Sequence, residues 1–162
     1  MSTTDRQKYK NTMLLLISLL FCYGVEWVAS IFTQSSVGSW YRELEKPFWN
    51  PPNFVFPLVW TLLYTMIGIS FWLILCNKRA YNSRVFFAFF GQMFLNLTWS
   101  ISFFYLQSPL LGLMNILLLL CAISWNMYVF LPYSKLAVKL LIPYFLWVMY
   151  ATTLNLSIWL SN

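Results

Sequence analysis

Histidine is absent from this 162-residue chain, and acidic side chains are nearly so, with four Asp and Glu against ten Lys and Arg. Without histidine the commonest haem axial ligand is missing, which argues against a conventional haem protein. No Ser-His pair can be assembled either, and the few carboxylates do not gather at metal-ligand spacing, so no standard catalytic engine and no metal centre are legible. Glycine is also scarce: the five residues include no pair at GxxxG spacing and no phosphate loop or dinucleotide fingerprint. The three cysteines, Cys22, Cys76 and Cys121, lie within or at the ends of apolar runs without paired spacing. They read as small packing residues, not as a disulfide framework or zinc site.

What is abundant is apolar surface. Hydrophobic residues make up 60% of the chain and charged residues 9%. A helix needs roughly 20 apolar residues to cross a hydrocarbon core about 30 Å thick, and five such runs can be drawn, near residues 13–33, 55–76, 85–106, 110–131 and 137–160. The unbroken runs Met13 to Leu20 and Leu113 to Ala122 do not alternate as barrel strands would. The expected fold is therefore an all-α integral membrane protein: a polar, basic tail over 1–12, then one domain over 13–162 built as a five-transmembrane-helix bundle. The first run is longer than the 7–15 apolar residues of a signal peptide and is kept as a helix.

A net charge of +6 would suggest nucleic acid in a soluble protein, but topology accounts for it here. Arg6, Lys8, Lys10, Lys78, Arg79, Arg84, Lys135 and Lys139 all fall on one side of the five spans, whereas Arg42 and Lys46 stand opposite, offset by Glu43 and Glu45. The positive-inside rule then places the N-terminus in the cytoplasm and the C-terminus outside. That orientation presumes a bacterial inner membrane; an organelle outer membrane, where insertion follows other routes, is the alternative.

Residues 40–52 read Trp-Tyr-Arg-Glu-Leu-Glu-Lys-Pro-Phe-Trp-Asn-Pro-Pro. Pro47, Pro51 and Pro52 remove backbone donors and fix φ, so the segment is expected to be a stiff, non-helical connection between spans. Trp40 and Trp49 would either anchor it among lipid headgroups or stand on a lid over a pocket, with Lys46, Pro47, Trp49, Pro51 and Pro52 as the lid residues.

Aromatic residues supply 21% of the chain, and helical spacing tells which of them share a face. Trp60, Tyr64, Ile67 and Phe71 form one stripe on the second span; Gln92, Asn96, Trp99 and Phe103 form one on the third; Tyr144, Trp147, Ala151 and Asn155 form one on the fifth, beside the helix-perturbing Pro143. Such stripes are more often packing or lipid contacts than ligand sites. Intramembrane amides serve as interhelical glue, but glue needs no adjacent indoles. Indoles beside buried amides below a Trp-Pro loop are the composition of a pocket for a broad, flat, largely apolar ligand. Glu26 lies inside the first span, where a carboxylate marks function by default; its plainer reading is an interfacial residue that snorkels or pairs with Arg42.

These phrases occur in a family order. Trp40, Tyr41, Leu44, Lys46, Pro47, Trp49, Pro51 and Pro52 in the loop are followed by Trp60-x-x-Leu63-Tyr64, by Gln92-x-x-Leu95-Asn96-x-x-Trp99, and by Pro143-Tyr144-x-x-Trp147 with Thr153-Leu154-Asn155. Over residues 13 to 162 the chain resembles the tryptophan-rich sensory protein and translocator protein (TspO/MBR) family, also called the peripheral benzodiazepine receptor family. The resemblance implies a five-helix bundle, often a homodimer, that takes protoporphyrin IX-like porphyrins as ligand, with no separate cofactor, in a pocket beneath the first long loop. Trp40, Trp60, Asn96, Trp99, Trp147 and Ala151 match the ligand-lining positions, and Tyr64 and Tyr144 join them from the stripes. Trp60 and Trp147 also match tryptophans implicated in light-dependent porphyrin degradation by some bacterial relatives, so they are the catalytic candidates if that activity applies. The leading expectation is a porphyrin-binding sensor, carrier or scavenger; the alternatives are a porphyrin-degrading enzyme and a sterol or lipid transporter. Sterol is weakly supported: the sterol-recognition pattern of animal members lacks its basic residue at the end of helix five here, and only a loose match, Leu75 to Tyr81 to Arg84, remains. Asn115 stands where an aspartate is common in the family, which argues against proton-linked transport there.

Overall fold

The computed structural model describes the backbone of residues 3–162 and the side chains of residues 5–162. Among the described residues there is no strand, and five helices are long and apolar enough to cross a membrane. The spans are α1 (Thr3–Val37), α3 (Val55–Leu75), α4 (Ser83–Ser100), α5 (Pro109–Phe130) and α6 (Lys135–Ser161), with a single helical turn α2 (Trp40–Glu43) after α1. α1 packs on α3 and α4, α3 on α6, α6 on α5, and α5 on α4, so the bundle closes in the order α1, α3, α6, α5, α4.

Local sequence sets the helix starts. Asn82, Ser108 and Ser134 are extended residues whose side-chain oxygens accept from the backbone N–H of Val85, Leu111 and Ala137, satisfying one of the donors that a helix N-terminus leaves free. Pro109 follows Ser108 at the first turn of α5, where its missing N–H costs nothing. Gly68 is required by a close approach: a Cβ there would lie 2.9 Å from Leu19 Cδ2 and 3.5 Å from the Ser18 carbonyl oxygen of α1.

Two boundaries differ from the expectation. The polar tail expected over 1–12 is helical from Thr3, because extending an existing helix adds a hydrogen bond for each residue ordered. Gln7 Nε2 also donates to Asn11 Oδ1 at 3.0 Å, and Trp72 Nε1 of α3 donates to the Asn11 carbonyl at 2.8 Å. The connection over 40–52 is not wholly non-helical, since Trp40–Glu43 complete one turn before Pro47 can act.

At the far end of α4 the helix widens into a π-turn over Ile101–Tyr105, closed by Leu106 N–H donating to the Ile101 carbonyl at 2.9 Å. Ser36 Oγ of α1 reaches the Phe104 carbonyl at 2.8 Å. Gln107, with φ 50°, then turns the chain into α5. Inserted residues of this kind often mark functional sites, and Phe103 and Phe104 of this one line a cavity between the helices.

Candidate functional site

The three sequence stripes converge inside the bundle. Tyr64, Ile67 and Phe71 of α3, Gln92, Asn96 and Phe103 of the third span, and Tyr144, Ala151 and Asn155 of α6 are buried, while Trp60, Trp99 and Trp147 are half-buried. At their loop-side end lies a partly open cavity of about 300 Å³, within the range of about 300–1,000 Å³ usual for small-molecule sites. α5 contributes nothing to its lining. One wall is α1, presenting Glu26, Ala29, Ser30, Thr33, Gln34 and Val37. The facing walls are Phe56, Pro57, Trp60 and Tyr64 of α3, Asn96, Trp99 and Ser100 of α4, Phe103 and Phe104 of the π-turn, and Ala151, Leu154, Asn155 and Ile158 of α6. Tyr41 and Asn53 bound it from the loop.

Amides fix the aromatic walls. Tyr64 Oη donates to Asn96 Oδ1 at 3.0 Å, and Asn96 Nδ2 donates to Tyr144 Oη at 2.7 Å, so one amide joins α3, α4 and α6. Trp99 Nε1 donates to Asn155 Oδ1 at 3.3 Å, and Asn155 Nδ2 donates to the Pro109 carbonyl at 2.7 Å. Above these bonds the rings form a continuous surface. Trp60 lies 6.4 Å from Trp99 with planes 33° apart, and Trp99 stacks on Phe103 at 5.7 Å. Gly112 of α5 lets this corner close, because a Cβ there would meet Phe103 Cδ2 at 2.8 Å and Asn155 Oδ1 at 2.9 Å.

The structure sorts the expected site residues into two groups. Trp60, Tyr64, Asn96, Trp99 and Ala151 line the cavity. Tyr144 lies beneath it as the fully buried end of the Asn96 network. Trp147 lies outside the lining, its ring 6.1 Å from that of Phe56 and its Nε1 buried and unpartnered. Trp40 packs edge-on against Phe103 at 5.6 Å, outside the lining, and the neighbouring Tyr41 takes the inward place. The α2 turn explains that exchange, since consecutive residues on a helix point in different directions.

The loop is fastened to the bundle at several points. Tyr41 Oη donates to Asn50 Oδ1 at 3.2 Å, Tyr150 Oη donates to the Trp49 carbonyl at 2.6 Å, and Asn162 bonds both ways with the Glu45 backbone at 3.0 and 3.2 Å. Burial holds the Tyr41 hydroxyl above its usual pKa. Lys46 Nζ donates to the Arg42 and Leu44 carbonyls at 3.1 and 2.9 Å and lies 4.8 Å from the centre of the Tyr41 ring. Its desolvation lowers its pKa. Pro47 and Pro51 are half-buried, whereas Pro52, Trp49 and Phe48 are exposed.

Glu26 does not pair with Arg42. Its Oε1 accepts from Thr61 Oγ1 at 2.7 Å, and it faces the cavity. α1 continues to Val37, which puts Glu26 about 16 Å from the helix end at about 1.5 Å per residue. Asn115 lies away from the cavity, joining α5 to α4 through Thr98 Oγ1 at 2.8 Å. In the loose sterol pattern, Tyr81 Oη donates to the Leu75 carbonyl at 2.7 Å.

Residues 18–160 match the model of the TspO/MBR family. The chain belongs to that family. The Tryptophan-rich protein TspO of Archaeoglobus fulgidus is 42% identical over 152 residues, covering 94% of this chain and 99% of its own length. The protein of the same name from Chlorobaculum tepidum is 41% identical over 92% of this chain and 96% of its own length. The human Translocator protein is 31% identical over 84% of this chain and 82% of its own length. In this TspO/MBR chain, Tyr41, Asn53, Phe56, Phe104 and Leu154 are lining residues that the sequence stripes missed. Leu154 follows Ala151 at i+3 and could have been found by widening the α6 stripe, whereas Tyr41 and Phe104 depend on local turns that periodicity does not reveal.

Proposed function

We propose that this TspO/MBR protein binds a porphyrin-like tetrapyrrole in the cavity between α1, α3, α4 and α6, as a sensor, carrier or scavenger within the membrane. The observation that carries the reading is the Trp60, Trp99 and Phe103 surface, held open by amides that are themselves fully bonded. A flat macrocycle gains ring-to-ring contact there without breaking the bonds of Asn96 and Asn155. No lysine or arginine lines the cavity, so the carboxylates of such a ligand belong outside it, where solvent or headgroups can meet them. The test is absorbance and fluorescence titration of the purified protein in nanodiscs with a panel of tetrapyrroles. Saturable binding weakened by Trp60→Phe supports the reading; equal partition into protein-free nanodiscs overturns it.

Light-dependent degradation is the second reading, favoured by the closeness of Trp60 and Trp99, which offers a bound photoexcited ring two adjacent indoles for electron exchange. Trp147, outside the lining, would act only through Phe56. Loss of the tetrapyrrole spectrum under illumination, compared between the parent and Trp60→Phe, separates the two readings. Equal rates remove the enzymatic one and leave binding intact.

A further inference from the structure

The two sides of the cavity offer different chemistry. On α3, α4 and α6 the amides are spent: both ends of the Asn96 amide are taken by Tyr64 and Tyr144, and both ends of Asn155 by Trp99 and Pro109. What remains there is the indole faces, with the Trp60 N–H and the Ser100 hydroxyl beside them. On α1 the hydroxyls turn their protons back on their own helix, Ser30 to the Trp27 carbonyl at 2.7 Å and Thr33 to the Ala29 carbonyl at 3.1 Å. They present oxygen lone pairs to the cavity, as does Glu26, the one charged residue in its lining. Among the described residues Thr61 is the one recorded donor to the Glu26 carboxylate, and it engages only Oε1. The cavity therefore joins a wall that carries the Glu26 charge to an aromatic wall, with no lysine or arginine in its lining.

That combination is complementary to one kind of ligand. A carboxylate at membrane depth is costly until a proton donor or cation meets it. Indole faces attract positive charge through the ring quadrupole. A ligand anion on this side would meet the Glu26 charge, with the neutral Gln34 amide as its one unbonded donor on α1. We propose that Glu26 sets the ligand class of the cavity: its carboxylate receives a nitrogen-bound proton, so the preferred occupant is a flat aromatic ring system carrying an amine or ring N–H at the edge facing α1. Thr61 acts as a positioning residue that holds Oε1 towards α3 and leaves Oε2 for the ligand. The proposal rests on the cavity being a site for flat rings.

The experiment compares two planar fluorescent probes of similar size in nanodiscs of zwitterionic lipid, with protein-free discs as the blank. 9-Aminoacridine is protonated at neutral pH, and 9-methylanthracene carries no charge and no N–H. The parent is expected to bind 9-aminoacridine the more tightly. Glu26→Gln keeps an oxygen to accept from Thr61 but removes the charge, and should reduce the affinity ratio of the two probes at least about tenfold, as losing one partner of a partly buried charged pair does. Thr61→Val, at a lipid-exposed position that tolerates an apolar side chain, should reduce the ratio less, by about threefold; it provides the reading if Glu26→Gln fails to fold. A ratio unchanged in the folded variants, or a parent that prefers 9-methylanthracene, overturns the proposal and leaves the cavity standing. If neither probe nor any tetrapyrrole binds the parent above the blank, both the proposal and the tetrapyrrole reading fall.

Discussion

The two ends of this bundle solve the same packing problem in opposite ways. Towards the Trp-Pro loop, space is left open and the surrounding amides are bonded: Asn96 and Asn155 each bridge two partners. Towards the basic loops, space is filled by rings, with Phe71 stacked on Phe89 at 3.6 Å and 3° and Phe21, Phe86 and Phe90 around them. There several buried polar atoms go unmet: Ser70 Oγ donates to the Ala137 carbonyl at 2.8 Å, but Gln92 and Asn126 have neither amide atom bonded and Ser18 Oγ has no partner. The difference teaches that a void persists in a helix bundle when its wall side chains are tied to one another and so cannot fall inward. Where close-packed rings already fix the geometry, an unpartnered amide is tolerated as a cost in stability.

If the filled end carries stability and the open end carries binding, variants should separate the two. The largest effect is expected from Phe89→Ala, which opens a hole beside Phe71 and should cost about 3–5 kcal/mol, measured by chemical or thermal unfolding in detergent. Ligand affinity of whatever fraction stays folded should remain within about twofold, because the site lies at the other end of the helices. Loss of binding at full folding would break the division. Asn96→Leu comes next. It orphans the Tyr64 and Tyr144 hydroxyls together, and should lower stability by about 2–3 kcal/mol and tetrapyrrole affinity by about tenfold.

Gly112→Ala sharpens the comparison from outside the cavity. Its methyl group must displace the Phe103 ring and Asn155 Oδ1, costing about 1–2 kcal/mol, and the Trp99 emission spectrum should shift as its bond to Asn155 changes. An unaltered spectrum would show that the corner yields without moving the indole. Gln92→Met has the opposite sign: replacing an unbonded buried amide by a side chain of similar shape should raise stability by about 1 kcal/mol. A loss there would mean that the amide has a partner the protein atoms do not supply, such as a buried water. The smallest effect belongs to the loop. Pro51→Gly with Pro52→Gly should hasten ligand dissociation about two- to threefold with little change in unfolding, read by stopped-flow fluorescence. An unchanged rate would make residues 40–52 an interfacial anchor only.

Helical periodicity carried much of this architecture. Stripes spaced at 60, 64, 67 and 71 or at 92, 96, 99 and 103 can face a common interior only in helices, and the burial of Tyr64, Asn96 and Phe103 follows from that spacing. Spacing does not say how far along its stripe a residue meets open space. Trp147 and Trp60 look equivalent in sequence, yet Trp60 lines the cavity whereas Trp147 packs against Phe56 outside the lining. Glu26 looked interfacial because the end of the first helix was placed near residue 33, and four further residues of α1 carry it deeper. The exchange of Trp40 for Tyr41 turns on a four-residue helix that is too short to show any period.

The π-turn at Ile101–Tyr105 has a consequence for how such a chain can change in length. A helix that holds one residue more than α-geometry needs can lose that residue and remain a helix, so a deletion there would not break the span as it would break a tight turn. The α-helical ladder would close up at the π-turn, so the change would fall on the residues of that turn and not on the chain beyond it. Phe103 and Phe104, both buried and both facing the cavity, could not then keep their places together. Ser36 would lose the carbonyl it reaches. Single-residue insertions and deletions, ordinarily absorbed by loops, would in this helix reshape the ligand chamber while leaving the number and length of the membrane crossings almost unchanged.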